Sequence, residues 1–352
     1  MIGKVKINIF FIAMIIVLFF LLLLGVSYGP VNISIYDVLI VLLQQFNFLS
    51  NYEVLEINEI VLLNIRLPRV ILGVLVGLAL GTSGAILQGL FRNPLVDPGF
   101  IGVSSGAAVG AMFAILFTQF LQLFFWSFLI PFILPIMAII GSFITTILVY
   151  KMSKVESKTN IMTMLLSGIA VNAISGSVIG LFVSISSDVQ LRSFTFWTLG
   201  GLDNADWLVV LLTSIFVFIP IFFVFKMRNE MDIFMLGDSE AAHLGLNVES
   251  LKKKIILITS IMVGISVSFC GMIGFVGLVT PHLVRLFIGP KHKFLIPGAA
   301  LLGAIILSLS DLIAKSIIAP AQLPLGVITS AIGAPFFIWL IINQKKRFSY
   351  GE

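Results

Sequence analysis

Long unbroken runs of apolar residues cover most of this chain, and short polar stretches separate them. A transmembrane helix needs about 20 consecutive apolar residues, whereas the strands of a membrane barrel alternate apolar and polar positions. Because the runs are continuous, the pattern predicts an all-α polytopic membrane protein with about ten transmembrane helices. The ten predicted spans lie near residues 7–28, 70–90, 100–118, 130–150, 160–184, 207–225, 255–272, 275–289, 295–314 and 324–343.

One apolar run is broken near its middle. Residues 255–284 contain no Asp, Glu, Lys or Arg, and the run is longer than one membrane crossing requires. It carries Gly271, Gly274 and Gly277, followed by Pro281, which are poor residues for a continuous helix. Irregular backbone at membrane depth persists where it packs against protein or lines a water-filled cavity. The run therefore predicts the end of one span, a kinked re-entry and the start of the next span beside a transport pathway.

Composition supports the membrane class. The chain is 59% hydrophobic and 11% charged over 352 residues, which is more apolar than a soluble domain of this size. A single cysteine excludes a disulfide framework within the chain. Lys4 and Lys6 precede an apolar stretch that lacks a small-residue cleavage site, so we expect an uncleaved first span rather than a signal peptide.

Basic residues fix the predicted orientation. If the N-terminus is cytoplasmic, the 21 lysines and arginines divide into 17 inside and 4 outside, as the positive-inside rule requires. The sequence therefore predicts a multi-pass membrane protein with both termini in the cytoplasm. The four basic residues on the outer side are Arg66, Arg69, Arg192 and Lys315.

Small residues recur along three of the predicted spans. Closely spaced glycines allow the backbones of two membrane helices to approach each other. We therefore interpret these repeats as close helix-helix contacts. The repeats are Gly73/Gly77/Gly81, Gly102/Gly106/Gly110 and Gly176/Gly180.

The sequence lacks the features of an enzyme or of a self-powered transporter. It has no phosphate-binding loop of the G-x-x-x-x-G-K-[ST] type and no Cys/His cluster with metal-site spacing. The candidate for an ion-coupling carboxylate is Asp311, four residues before Lys315. An i,i+4 ion pair at a helix end is the preferred interpretation, with a proton relay as the alternative. We expect no enzymatic activity, no cofactor and no metal, so energy has to come from a partner.

The connections between spans contain further predicted helices. We expect a helix after Ser34, and a short helix within residues 190–200 is an open alternative. In the connection 226–254, Asp238 or Ser239 is suited to begin a short helix that Gly245 ends. Such a helix exposes the side chains of Met235, Leu236 and Leu244. It either packs on its own bundle or docks a cytosolic partner.

Four groups of short strings occur along the chain. They are residues 66–69 with 77–81, 84–89, 92–99 and 102–107; residues 236–237 with 241–245; residues 274–285; and residues 323–329 with 333–337. Together they resemble the permeases of ABC importers for iron-siderophores, haem and cobalamin, the FecCD family with the BtuC-type fold. They occur in the order of the family and extend over nearly the whole chain, and the resemblance implies a location in the bacterial inner membrane.

The resemblance implies an architecture and a set of partners. It implies one transmembrane permease domain over residues 1–352, with ten helices in the type II importer fold and a coupling-helix loop at about 231–247. It also implies a dimer of permeases around one pathway, most simply a homodimer in the lipid bilayer. Two cytosolic ATP-binding subunits and a periplasmic or lipid-anchored substrate-binding protein complete the assembly. No nucleic acid is expected as a partner.

The resemblance also assigns roles to particular residues. Basic residues on the outer side are expected to meet acids of the binding protein; the alternative is ordinary interfacial cations. A short segment is expected to seat in the ATPases, and a turn to form the cytoplasmic gate; the alternative for the turn is a plain helix end. The docking residues are Arg66, Arg69 and Lys315; the coupling residues are Leu236, Gly237, Asp238, Ala241, Ala242, His243, Leu244 and Gly245; the gate residues are Asn93, Pro94 and Leu95.

The segment between the fifth and sixth spans is similar to that of haem-importing members of the family, and it is the basis for the predicted cargo. Gln190, Arg192, Phe196 and Trp197 are the candidates for the substrate pathway. A cation suits haem propionates, and aromatic rings suit its flat apolar face; the alternative is an interfacial aromatic belt with a snorkelling arginine. Haem import is the leading prediction. A ferric siderophore, cobalamin and an ion-coupled secondary transporter remain as alternatives.

Overall fold

The computed structural model describes residues 4–29, 31, 33–45, 52, 54–156, 158–319 and 321–349, and these residues form a helical bundle. A two-stranded antiparallel hairpin is the β-structure in these ranges. The elements are α1 (Lys4–Ser27), α2 (Ile35–Gln44), α3 (Glu56–Val61), a π-helical turn (Leu62–Arg66), α4 (Leu67–Phe91), a 3-10 turn (Pro98–Ile101), α5 (Val103–Leu116), α6 (Thr118–Gln122), a 3-10 turn (Ser127–Phe132), α7 (Ile133–Met152), β1 (Lys154–Val155), β2 (Lys158–Thr159), α8 (Ile161–Ser184), α9 (Asp188–Leu199), α10 (Trp207–Phe234), α11 (Asp238–His243), α12 (Val248–Cys270), α13 (Val276–Ile288), α14 (His292–Ser316) and α15 (Leu325–Ser349).

The predicted spans all correspond to helices. Within the described ranges, seven helical stretches are long and apolar enough to cross a membrane. The predicted spans at 100–118, 275–289 and 324–343 correspond to the shorter apolar helices α5, α13 and α15. The protein is therefore an all-α polytopic membrane protein, as predicted. The helix after Ser34 and the short helix within 190–200 are also present, as α2 and α9.

Helix α4 forms the centre of the bundle, and its glycines explain why. A Cβ atom on Gly84 would overlap the carbonyl oxygen of Gly277 on α13, and one on Gly77 would lie 2.5 Å from the carbonyl oxygen of Gly303 on α14. The helices therefore meet at backbone distance, because a larger side chain has no room between them. The close helix-helix contact predicted for the first glycine repeat is confirmed for Gly77 and Gly81, whereas Gly73 faces the side chain of Leu202 in a connection.

The other two glycine repeats differ from each other. Gly106 on α5 faces the backbone of Gly141 on α7, which confirms the predicted contact. Gly176 and Gly180 on α8 have nothing within 4 Å of the position of an added Cβ atom, so the predicted contact is wrong for packing within the described part of this chain. Their backbone faces open space.

The broken run has the predicted form. Helix α12 ends at Cys270 and α13 begins at Val276, while Gly271 (φ 69°) and Phe275 (φ 66°) adopt left-handed conformations. A Cβ atom on Gly271 would overlap the carbonyl oxygen of Trp197, so glycine is required there both for its φ and for the close approach. The break packs against the end of α9, where the Gly201 amide donates to the Cys270 carbonyl at 2.9 Å.

Candidate functional site

At the end of the bundle predicted to face outward, four of five charged side chains are almost fully enclosed. We call Arg66, Arg69, Asp203, Asp311 and Lys315 the outer cluster. The Asp311 carboxylate accepts from Arg69 Nε at 2.9 Å and from Lys315 Nζ at 2.5 Å. Arg69 also pairs with Asp203 at 2.8 Å, and the Asp203 side chain is 66% exposed. The predicted ion pair between Asp311 and Lys315 is confirmed.

Arg66 is buried and fastens the end of α1. Its guanidinium donates to the carbonyl oxygens of Val26 at 2.9 Å, Ser27 at 2.5 Å and Val31. The alternative of ordinary interfacial cations does not fit Arg66, Arg69 and Lys315, because each already has partners and little exposed surface. A role in docking stays a prediction.

The candidates for the substrate pathway lie on α9, but they do not all point to open space. Gln190 closes a capping box with Ser187 at the start of the helix, and its amide nitrogen donates to the carbonyl oxygens of Ile115 and Leu116 at 3.4 Å and 3.3 Å. Gln190 therefore fixes α9 onto α5. The Arg192 side chain is exposed and has no polar partner within the described residues.

Two aromatic residues of α9 line a cavity of ≈ 410 Å³ beside the helix break. Phe196 is exposed, and Trp197 stacks on Phe194 with ring centroids 6.3 Å apart. The indole N–H of Trp197 is buried without an acceptor among the described residues. The cavity combines aromatic surface with polar side chains such as Asp203 and Gln322.

At the other end of α4, the predicted gate residues form a turn. Helix α4 ends at Phe91, and in the turn that follows Leu95 N–H donates to the Asn93 side chain at 3.0 Å. Asn93 and Pro94 border a cavity of ≈ 510 Å³ that also contacts Arg285. One turn earlier, Gln88 donates to the Leu278 carbonyl at 3.1 Å and accepts from Arg285 at 3.0 Å, which ties this end of α4 to α13.

A second group of charges lies beside this turn. We call Arg92, Asp238, Glu249 and Lys252 the inner cluster, after its predicted orientation. Asp238 accepts from Arg92 at 2.6 Å and from Lys252 at 2.7 Å, and Lys252 also pairs with Glu249 at 3.2 Å. Partial burial opposes ionisation of Asp238, but the hydrogen bonds and positive charges of Lys252 and Arg92 outweigh it, so the pKa of Asp238 lies below its ordinary value.

The predicted coupling segment contains a short helix, α11, as expected. Its first turn follows Gly237 (φ 126°), so the prediction that Asp238 or Ser239 caps it is wrong; Asp238 is the first helical residue and its carboxylate binds Arg92 and Lys252 instead. Gly245 has the left-handed conformation expected after the helix (φ 85°). The exposed apolar side chains are Met235, Leu236 and Leu244, as predicted.

The FecCD transport family matches residues 15–343. This chain belongs to the FecCD transport family. It is 41% identical over 287 residues to the hemin transport system permease protein HmuU of Yersinia pestis, covering 82% of this chain and 84% of that protein. It is 37% identical over 296 residues to the cobalamin import system permease protein BtuC of Halobacterium salinarum, covering 84% and 77%.

A solved structure extends the comparison to the fold of this FecCD protein. A metal-chelate type ABC transporter in an inward-facing conformation superposes with a TM-score of 0.80 at 28% identity, covering 96% of this chain and 99% of that chain. The FecCD protein is thus a multi-pass transport subunit of the ABC importer permease type. Subunits of this type act together with ATP-binding and substrate-binding partners.

The FecCD protein also contains a pocket that the sequence interpretation missed, with a mostly apolar lining and a few polar side chains. A cavity of ≈ 430 Å³ is lined by Asp97, Ser105 and Asn172. Asn172 accepts from the Ser105 hydroxyl at 2.6 Å and donates to the Gly99 carbonyl at 3.2 Å. Burial raises the pKa of Asp97, although the Gly99 amide, which donates to it, opposes the shift. The available signal was Asn172, a polar residue inside an apolar span.

Proposed function

We propose that this protein is the membrane permease subunit of an ABC importer that moves haem into the cytoplasm. The observation that carries the proposal is the 41% identity to a hemin permease over 82% of the chain. Import of a ferric siderophore or of cobalamin by the same fold is the second candidate, since cobalamin permeases are 37–38% identical over a similar length.

The chemistry of α9 supports haem. Arg192 is the basic residue on the predicted outer side whose guanidinium is exposed and free of polar partners within the described residues. A guanidinium suits the carboxylates of haem propionates. Phe196 and Trp197 add apolar surface at the neighbouring cavity for the flat macrocycle. The three histidines of the chain, His243, His282 and His292, lie in or near segments predicted to be cytoplasmic, so cargo would meet no imidazole at the outer mouth and would bind weakly enough to be released.

The proposed assembly contains two copies of this single-domain permease. The open face of α8 at Gly176 and Gly180 suits contact with a second copy, since small residues allow close approach of membrane helices. The exposed apolar residues around α11 suit a groove in each of two ATP-binding subunits, which hydrolyse the nucleotide. In this arrangement both termini are cytoplasmic, and Asn93, Pro94 and Leu95 close the pathway at its inner end.

The proposed docking site for a substrate-binding protein is the outer cluster. Arg69 is the member best placed to pair with an acid of the binding protein. Its partner Asp203 is exposed, so an acid of the binding protein is able to take the place of Asp203. Arg66 and Lys315 would contribute positive charge from beneath the surface. Because both side chains are buried, they would act on the binding protein through their electrostatic field and not through direct contact.

Uptake by a reconstituted complex tests the proposed substrate. The permease, its ATPase and its binding protein are assembled in liposomes, and ATP-dependent accumulation of haem, ferric hydroxamate and catecholate chelates, and cobalamin is compared. We expect haem to accumulate, and Arg192→Gln to reduce the uptake of haem. Arg228→Gln is the matched control, because it removes an equal charge near the C-terminal end of α10, which is predicted to face the cytoplasm. Accumulation of another substrate without haem would overturn the haem assignment.

A further inference from the structure

Arg92 has an unusual backbone conformation together with a fully used side chain. Its φ of 48° lies in the left-handed region, which disfavours residues with a side chain and persists where the surroundings enforce it. Its guanidinium donates twice to the Phe234 carbonyl, at 3.2 Å and 2.7 Å, and lies 4.1 Å above the Phe234 ring. The residue directly before the gate turn is thus held against the end of α10.

Asp238 joins Arg92 to two further segments. Its Oδ1 accepts from Arg92 at 2.6 Å and its Oδ2 from Lys252 at 2.7 Å. The buried Lys252 ammonium also donates to the Thr159 carbonyl at 2.8 Å, and Glu249 accepts from the Thr159 amide at 2.9 Å. The end of α4, the hairpin β1–β2 and the start of α12 therefore converge on the first residue of α11.

Little else holds α11 to the bundle. Ala241 is its buried residue, whereas Ser239, Glu240, Ala242 and His243 are exposed. Apart from its chain connections to α10 and α12, α11 contacts the rest of the protein chiefly through the Ala241 methyl and the Asp238 carboxylate, and the carboxylate is its link to the end of α4. Short hydrogen bonds between ionised groups are strong and directional, so the Asp238 carboxylate transmits a displacement of α11 in a defined direction.

We propose that the Arg92–Asp238 ion pair is the joint through which movement of the coupling helix reaches the gate turn. This inference rests on the proposed function, in which ATPases seat α11 and Asn93, Pro94 and Leu95 form the gate. A partly exposed ion pair adds little to stability, but it fixes direction and is able to break and reform within a cycle. Asp238 and Arg92 are then positioning residues for the gate.

The test measures haem transported per ATP hydrolysed by the full complex in liposomes. We expect Arg92→Gln and Asp238→Asn each to lower this ratio about fivefold or more, since neighbouring charges in one network are strongly coupled. The double variant should be no worse than either single variant. Arg92→Lys keeps the charge and should retain most of the coupling, which distinguishes lost transmission from a lost fold.

Matched controls come from the inner end of α10. Arg228→Gln and Glu230→Gln remove the same charges from side chains without polar partners in the described ranges, so they should leave the ratio unchanged. The proposal is overturned if the single variants transport as much haem per ATP as the wild type or if their effects multiply in the double variant. It is also overturned if Arg92→Lys lowers this ratio as much as Arg92→Gln does. If the wild-type complex shows no ATP-dependent uptake, the proposed function itself fails and the joint fails with it.

Discussion

The two ends of α4 each carry an arginine that meets a carboxylate from a distant part of the chain. At one end, Arg69 and Asp311 are 11% and 5% exposed, and Lys315 is buried beside them. At the other end, Arg92 and Asp238 are 31% and 44% exposed. The chemistry of the pairs is the same, but their access to water differs several-fold.

That difference indicates two mechanical roles. Removing one partner of a buried pair strands a charge away from water, so the outer cluster holds its helices in one arrangement. A partly exposed pair is replaced by water at little free-energy cost, so the Arg92–Asp238 pair is able to open and close. Meanwhile the buried Lys252 keeps Glu249 and the Thr159 carbonyl as partners. An importer driven from the cytoplasm needs its movable joint at the inner end, and the proposed joint lies at the end of α4 that is predicted to face the cytoplasm.

The largest expected effect is from Asp311→Asn. The substitution leaves Arg69 and Lys315 without their shared buried carboxylate, so we expect a loss of about 3–5 kcal/mol in the free energy of unfolding. Thermal unfolding of the purified protein in detergent measures it. Asp203→Asn is the control, because that carboxylate is exposed and should lose about 1 kcal/mol or less. Equal losses in the two variants would contradict the distinction.

Arg66→Met should have the next largest effect. It leaves the carbonyl oxygens of Val26, Ser27 and Val31 without their donor, and an unsatisfied buried acceptor costs about 1–3 kcal/mol. The same unfolding assay measures the loss. Arg192→Met removes an exposed cation and should change stability by about 0.5 kcal/mol or less. A harmless Arg66→Met would mean that this arginine is not structural.

Asp238→Asn should affect stability less than either outer substitution. The pair with Arg92 is partly exposed and screened, and the buried Lys252 retains Glu249 and the Thr159 carbonyl. We therefore expect a loss of about 1 kcal/mol or less although transport per ATP falls. Unfolding and coupled uptake measured on one preparation separate the two quantities. A large loss of stability would place the inner cluster in the same class as the outer one.

The smallest effect is the dependence of this loss on pH. The pKa of Asp238 is lowered in the folded protein from an ordinary value of 3.8, so its stabilisation is present above that value and declines as pH falls through the lowered pKa. The difference in melting temperature between wild type and Asp238→Asn should be constant from about pH 5 to 8 and shrink in stronger acid. A difference that grows in acid would contradict the sign of the shift.

Local features of both clusters were predictable, and the tertiary ones were not. The pair Asp311–Lys315 follows from a spacing of four on one helix. Arg92 and Asp238 are 146 residues apart, and Arg66 lies 35 to 40 residues from the carbonyl groups it binds. No local sequence pattern predicts contacts over such separations. Sequence alone therefore offered docking or an interfacial position for Arg66, and it gave no sign of the buried contact with the end of α1.

The same limit applies to packing and to helix ends. Glycines at a spacing of four on α4 and on α8 look alike in sequence, yet Gly77 meets another backbone and Gly176 meets none in the described chain. Asp238 is a good capping residue, but Arg92 and Lys252 compete successfully for its carboxylate, so Gly237 precedes the helix instead. Spans and breaks depend on local composition, whereas partners depend on which helices become neighbours.

The most direct test of the whole account is haem accumulation in liposomes that contain the permease alone or the permease with its ATPase and binding protein. We predict uphill accumulation only when both partners and ATP are present. Accumulation against a gradient by the permease alone would contradict the account, because this chain would then possess an energy source of its own.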